Sequence, residues 1–271
     1  MTVKNTHPDL LDKLTAGIAA LTSTEEWRRY LDLQSRFHRY SFSNVQLIHA
    51  QREDARRVAG FRTWRGLDRT VRKGEKAIFI LAPMIYKTTD EDGNDERGVR
   101  GFKWVPVFDV AQTDGAELPA VATRLDGDDP AGHYATLVEV AHSIGFTVHD
   151  HHFDGATNGD CSHSEHRIRV EESNAPAQRV KTLAHEIAHA LLHETYDSRP
   201  LAELEAESTA YVVCQSLGLA TDDYSFGYVA SWAGGSENAA KAIKTSGERI
   251  QRTASAILRA FTSAEALTAA D

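Results

Sequence analysis

A chain of 271 residues, 41% apolar and 25% charged, has room for one large globular domain or two modest ones. It holds no apolar run near the roughly 20 residues that span a bilayer. Its start, Met1-Thr-Val-Lys-Asn-Thr-His-Pro-Asp9, lacks the pattern of a secretory signal, and two cysteines (Cys161, Cys214) make no disulfide framework, so a cytoplasmic protein with no membrane partner is expected.

The net charge of −9 excludes a generally basic coat. Residues 27–81 nevertheless hold 11 Arg and 2 Lys against 5 acidic residues, a local balance of +8 that leaves −17 for the remainder. Such a split implies two regions with different partners.

In chain order, Leu10, Leu11, Leu14, Ile18 and Leu21 recur at helical spacing. A second helix is expected over 23–37, with Ser23 and Glu26 as a capping box, and a third from Ser43 to just before Asp54. From Arg57 onward Gly60, Gly66 and Gly74 punctuate short β-prone pieces. Residues 77–82 and 102–108 read as paired strands, and 90–96 as the polar turn between them. That turn is no calcium loop, since Asp95 and Gly101 stand where glycine and glutamate are needed.

Residues 116–131 form the best linker, dividing a domain at 1–115 from one at 132–271. The second is expected to run helix (133–144), strand (146–148), strand (167–170), then a helix introduced by Ser173, Asn174 and Pro176. Val180, Leu183, Ala184, Ile187, Ala190 and Leu191 give that helix its core-facing stripe. A helix over 200–217, stopped by Gly218, and a tail helix over 237–261 complete an α+β chain.

The chemistry concentrates in His185-Glu-Ile-Ala-His189. On a helix, residues i and i+4 share a face, so His185 and His189 can offer ring nitrogens to one ion. Glu186 projects beside them, placed to take a proton from water activated by zinc. Manganese or cobalt suit the same ligand types. A catalytic zinc needs a third protein ligand, and a third histidine in the extended pattern is ruled out because Leu192 and Thr195 occupy the diagnostic places. The ligand is therefore expected from the next helix, with Glu207 as ligand and Glu203 as its outer partner or alternate; Glu205 points away from that face. His193 lies too far along the axis to join the same ion. His149-Asp-His-His152 and His163-Ser-Glu-His166 read as solvated histidines.

The stretch Thr182-Leu-Ala-His-Glu-Ile-Ala-His-Ala-Leu-Leu-His193, with Glu205-Ala-Glu-Ser-Thr-Ala-Tyr211 and Glu248-Arg-Ile-Gln-Arg-Thr-Ala254, resembles the zincin-like domain of ArdC-type antirestriction proteins. It is more distantly similar to the ImmA/IrrE regulatory metallopeptidases. Tyr40-Ser-Phe-Ser-Asn44, Val58-Ala-Gly-Phe-Arg-Thr-Trp64 and Val71-Arg-Lys-Gly-Glu-Lys76 resemble the ArdC N-terminal single-stranded-DNA-binding domain. Cys161 has no role in that pattern. The resemblance implies a helical/β DNA-binding domain followed by a zincin-like metallopeptidase domain, serving to protect incoming mobile DNA. Two other readings compete: a DNA-binding antirestriction protein with a structural metal, and a regulatory peptidase that cleaves a repressor. The protein substrate is not legible in the sequence.

The basic region supports single-stranded DNA on its own physics, since such strands are held by a cationic groove with aromatic faces for the bases. Arg62, Arg65, Arg69, Arg72, Lys73 and Lys76 supply charge around Trp64, and Arg39 with Tyr40 begins a second cluster. Phe42 and Phe61 are expected to be buried, and Asn44 reads equally as part of the nucleic-acid face or as a helix cap.

Overall fold

The computed structural model describes residues 2–3, 7–89, 95–118, 129, 132–195, 198–219, 224 and 236–268. The expected turn at 90–96 and linker at 116–131 fall largely outside them. The elements are β1 (Thr2–Val3), α1 (Pro8–Ala20), α2 (Thr24–Arg36), α3 (Phe42–Gln51), β2 (Val58–Ala59), α4 (Phe61–Gly66), β3 (Arg69–Val71), β4 (Ile78–Thr89) and β5 (Asp95–Asp109). A 3-10 turn (Val110–Gln112) leads to β6 (Thr113–Gly115), α5 (His133–Ser143), β7 (Thr147–His151), β8 (Gly159–Ser162), β9 (Arg167–Glu171), α6 (Pro176–Leu192), α7 (Arg199–Ser216) and α8 (Ser236–Thr268).

The chain is α+β and divides into two compact units, one of residues 1–18 and 43–119, the other of 19–42 and 120–271. Segment 19–42, expected within a 1–115 domain, thus packs with the C-terminal unit. The cause is the apolar face of α2: Trp27, Tyr30 and Leu31 are fully buried. Trp27 Nε1 donates to Ser208 Oγ on α7 at 3.0 Å, and the Tyr211 hydroxyl donates to Asp32. Ser23 caps α2 by accepting from the Glu26 amide at 3.2 Å, but the Glu26 carboxylate pairs with Arg29 at 2.8 Å instead of closing the expected box. In the same unit a Cβ on Gly247 of α8 would lie 2.3 Å from the buried Phe42 ring, which explains a glycine inside a helix.

In the first unit β5 is the long central strand. It pairs antiparallel with β4 along most of its length, parallel with β1 at Gly101 and Phe102, and antiparallel with β2 at Phe108 and Asp109. Residues 57–76, expected as β pieces, also contain α4, which begins at the extended backbone of Gly60. Asn44 does not cap a helix. Its amide donates to Leu81 O and accepts from Leu81 N, both at 2.9 Å, while Gln51 makes the same double contact with Phe79 at 2.8 and 2.9 Å. Two amides seven residues apart on α3 therefore satisfy backbone groups two residues apart on β4, as a neighbouring strand would. Asp109, fully buried, accepts from the amides of Arg56, Arg57 and Ala111 at 2.7–2.9 Å, tying β2 to the end of β5.

In the second unit β9 lies between parallel β7 and antiparallel β8, leaving β8 at the sheet edge. The buried face of α6 (Val180, Leu183, Ala184, Ile187) packs on this sheet and on α5 and α7, whereas Leu191, expected in the core stripe, is exposed. Gly159 allows β8 to approach: a Cβ there would meet Thr182 Cγ2 at 2.6 Å and Arg169 O at 2.9 Å.

Candidate metal centre

Helix α6 carries His185, Glu186 and His189, and α7 packs against it to deliver carboxylates. The two Nε2 atoms of His185 and His189 lie 3.0 Å apart. Glu203 Oε2 sits 3.4 Å from the first and 3.5 Å from the second. One donor atom from each of these three residues falls within 4.8 Å of the others, and this is the sole such cluster among the described residues. The sequence favoured Glu207 for that place. Glu207, one turn later on α7, instead lies with Oε2 3.1 Å from His185 Nδ1 and Oε1 3.2 Å from Lys181 Nζ. Geometry thus exchanges the two glutamates, because Nε2 of His185 faces His189 and Glu203 while its Nδ1 faces Glu207.

Glu186 is buried beside this cluster; a Cβ on Gly159 would lie 3.1 Å from its Oε1. Burial lifts its carboxyl to about 7, with the charges of Glu203 and Asp160 adding to the rise and that of His185 opposing it. Burial works against the charged ring of His185, but hydrogen bonds with Glu203 and Glu207 outweigh it and raise its pKa to about 9. Hydrogen bonds from His185 and His189 hold Glu203 well below the usual carboxylate range.

Two imidazole nitrogens facing each other at 3.0 Å need a proton or a metal ion to share. Two imidazoles and a carboxylate are a donor set that fits zinc. Both remaining Nδ1 atoms are engaged, that of His185 with Glu207 and that of His189 with His193 at 3.0 Å, the outer-shell arrangement usual for ligating histidines. The residues fit the ion.

A cleft of about 520 Å³ opens over the cluster, lined by the edge strand β8 (Gly159, Asp160, Cys161), by α6 and by α7. Burial pushes the Cys161 thiol up to about 12, so it is no nucleophile at neutral pH. Three histidines of the 149–152 and 163–166 clusters have separate partners: His151 Nε2 lies 3.3 Å from Arg169, His152 Nδ1 3.4 Å from Glu171, and His163 Nε2 3.3 Å from Ala190 O. Sequence reasoning missed His193, Glu205, Lys181 and Arg249. The third histidine of the series 185, 189, 193 was a visible signal, but its partner on another helix was not.

The expected nucleic-acid residues are split between the units. Arg39, exposed, and Tyr40 belong to the second, and the rest to the first. Trp64 is 0% exposed and its Nε1 donates to Phe108 O at 2.8 Å, so it is a core residue rather than a stacking face. Arg69 donates to Thr113 Oγ1 at 2.8 Å and to Thr113 O at 3.0 Å; Arg72 pairs with Glu75 at 2.8 Å and Asp114 at 3.3 Å. Both tie β3 to β6. Arg62, Arg65, Lys73 and Lys76 are exposed, and so is Phe61, at 47%, contrary to its expected burial.

Residues 4–111 match the family model described as the N-terminal domain of anti-restriction factor ArdC, and residues 141–219 match the IrrE N-terminal-like domain of the M78 peptidase type. The metal-free crystal structure of the antirestriction ArdC protein from plasmid R388 aligns with a TM-score of 0.52 and 22% identity over 82% of this chain and 84% of that one. The Mn(II)-bound structure of the same protein aligns at 0.47 with 21% identity, over 85% and 97%. An uncharacterized protein of Bacillus anthracis is 23% identical over 312 residues, covering 94% of this chain but 51% of the relative, so the chain spans about half of that relative's length. By class, then, this is an α+β chain of two compact units, with a stretch at residues 141–219 that matches a peptidase-type domain model. Its first part is similar to the ArdC N-terminal domain, and a later stretch is similar to the IrrE N-terminal-like domain. None of its described helices is long and apolar enough to cross a membrane.

Proposed function

We propose that the protein is a zinc-dependent peptidase joined to a single-stranded-DNA-binding domain, acting to protect incoming mobile DNA from restriction. The observation that carries the peptidase half is the convergence of His185, His189 and Glu203 in an open cleft with Glu186 beside them. His185, His189 and Glu203 would hold the ion, and Glu207 would orient His185. Bound zinc would supply Lewis acidity and lower the pKa of water to about 7. Glu186 would accept the proton of the attacking water at its carboxylate and return it to the leaving amine. Edge strand β8, lining the cleft, offers main-chain pairing to an extended peptide. The test is metal content beside proteolysis. Purified protein is expected to hold about one zinc per chain and to cut an unfolded protein probe in a chelator-sensitive manner. Metal retained without any cleavage would favour a structural metal, and no metal at all would remove the peptidase reading.

For the DNA half, α4 presents the exposed ring of Phe61 together with the exposed Arg62 and Arg65. Single-strand binding should weaken with salt at a log–log slope of about −0.7 per phosphate neutralised. Arg62→Glu with Arg65→Glu is expected to flatten that slope by about 1.4, and Phe61→Ala to cost about 1–3 kcal/mol of binding while leaving the slope intact. Zinc content should not move in either. If both variants bind single strands as tightly as the parent, α4 is not the contact.

A further inference from the structure

His193 is 4% exposed and Glu205 2% exposed, and the sequence gives neither a role at the metal. Their geometry forms a chain. His189 Nδ1 lies 3.0 Å from His193 Nδ1, and His193 Nε2 lies 3.1 Å from Glu205 Oε2. The same Oε2 lies 3.0 Å from Arg249 Nε. That N–H is not aimed at the oxygen, so the contact is an ion pair rather than a hydrogen bond. Arg249 Nη2 is anchored on Leu192 O at 2.8 Å, at the end of the helix that carries the histidines.

The chain has a direction. Glu205, paired with a guanidinium, is an acceptor only, so the hydrogen in its contact with His193 must sit on Nε2 of the ring. A neutral imidazole with hydrogen on Nε2 has a bare Nδ1, which can only accept. The hydrogen shared with His189 must then come from His189 Nδ1. That leaves His189 Nε2 as a lone pair, aimed at the point it shares with His185 Nε2 and Glu203 Oε2.

We infer that His193 and Glu205 are positioning residues that fix the tautomer of His189, so that its Nε2 is presented to the cation. The inference rests on the metal-site reading above. His185 is served by one residue, Glu207; His189 reaches its carboxylate through a second imidazole, because His193 stands between its Nδ1 and Glu205. Both orienting carboxylates come from α7 and each faces a cation, Lys181 for Glu207 and Arg249 for Glu205. A role confined to packing would need only the shapes of His193 and Glu205; the tautomer role needs their donor and acceptor order.

The test reads protons and metal separately. In metal-free protein with ring-labelled histidines, long-range proton–nitrogen correlation at mildly alkaline pH should place hydrogen on Nε2 of His193 and on Nδ1 of His189. Glu205→Gln can donate as well as accept, so it should give a mixed pattern and weaken zinc, measured by competition with a chromophoric chelator, by about 10–100-fold. His193→Gln, which still accepts and donates, should bind zinc more tightly than His193→Leu, which does neither; a packing role predicts the opposite order. Hydrogen on Nδ1 of His193, or on both its nitrogens, overturns the inference, as does unchanged zinc affinity in Glu205→Gln. The wild-type spectrum needs no variant to fold, and it is informative whether or not the protein cuts peptides.

Discussion

Glu186→Gln is expected to keep its metal and to lose peptide hydrolysis by a factor of about 10² or more. The amide keeps the shape of the carboxylate but cannot take a proton. The site makes the variant unusually clean to interpret. Glu186 is buried in a pocket where burial already disfavours its charge, lifting the carboxyl to about 7. Replacing it by a neutral amide removes a desolvation penalty rather than a stabilising pair, so the variant should melt at or above the wild-type temperature. His185, His189 and Glu203 are untouched, so zinc content should hold at the wild-type level. Lost hydrolysis in a protein that melts normally and carries its metal assigns the proton transfer to Glu186. Equal hydrolysis in the variant would remove Glu186 from the chemistry. A room-filling change at Gly159 makes a complementary probe, because a Cβ there would meet Thr182 at 2.6 Å and the Glu186 carboxylate at 3.1 Å.

The parts of this site that were legible in the sequence are those governed by local geometry. His185 and His189 share a face because they are four residues apart on one helix, and no tertiary information is needed to see it. Choosing between Glu203 and Glu207 requires the axial offset of α7 against α6, and both offsets satisfy the same helical spacing. Trp64 shows the same limit from another side. An aromatic among arginines reads as a stacking face, yet its Nε1 reaches Phe108 O on β5 and its ring fills the core. Phe61, three residues earlier on the same short helix, is the exposed ring, and only the docking of α4 separates the two. The place of α2 was hidden for a similar reason. Its amphipathic pattern says that Trp27, Tyr30 and Leu31 are buried but not against which helix, and α7 lies some 180 positions away along the chain. Strand β8 escaped notice because Gly159-Asp-Cys-Ser162 has no β-branched residue and little apolar content; its partner β9 and the close approach to α6 define it.

Glu203→Ala and Glu207→Ala are expected to separate in two measurements at once. Glu203 is half-exposed and its Oε2 lies between the two Nε2 atoms, at 3.4 and 3.5 Å. Its removal leaves two protein donors, so zinc affinity should fall beyond the roughly 10–100-fold that an outer-shell change produces. Folding stability should fall less than in Glu207→Ala, because the Glu203 carboxylate is half-exposed and solvent weakens its bonds to His185 and His189 and its pairing with the exposed Arg199, 3.7 Å away. Glu207 stands in the opposite position. It is well packed, orients His185 through Nδ1 at 3.1 Å and faces the buried Lys181 at 3.2 Å. Glu207→Ala should therefore weaken zinc only by about 10–100-fold. It should also destabilise the fold, by up to about 3–5 kcal/mol, less what Lys181 retains from the Tyr224 ring 4.0 Å from its ammonium. Metal titration and denaturant unfolding of metal-free protein, run on both variants, give the crossed pattern directly: the larger loss of zinc with the smaller loss of stability for Glu203, and the reverse for Glu207. If zinc is instead lost outright in Glu207→Ala and held in Glu203→Ala, then Glu207 is the ligand, and α7 must shift by about one turn against α6 when the ion binds.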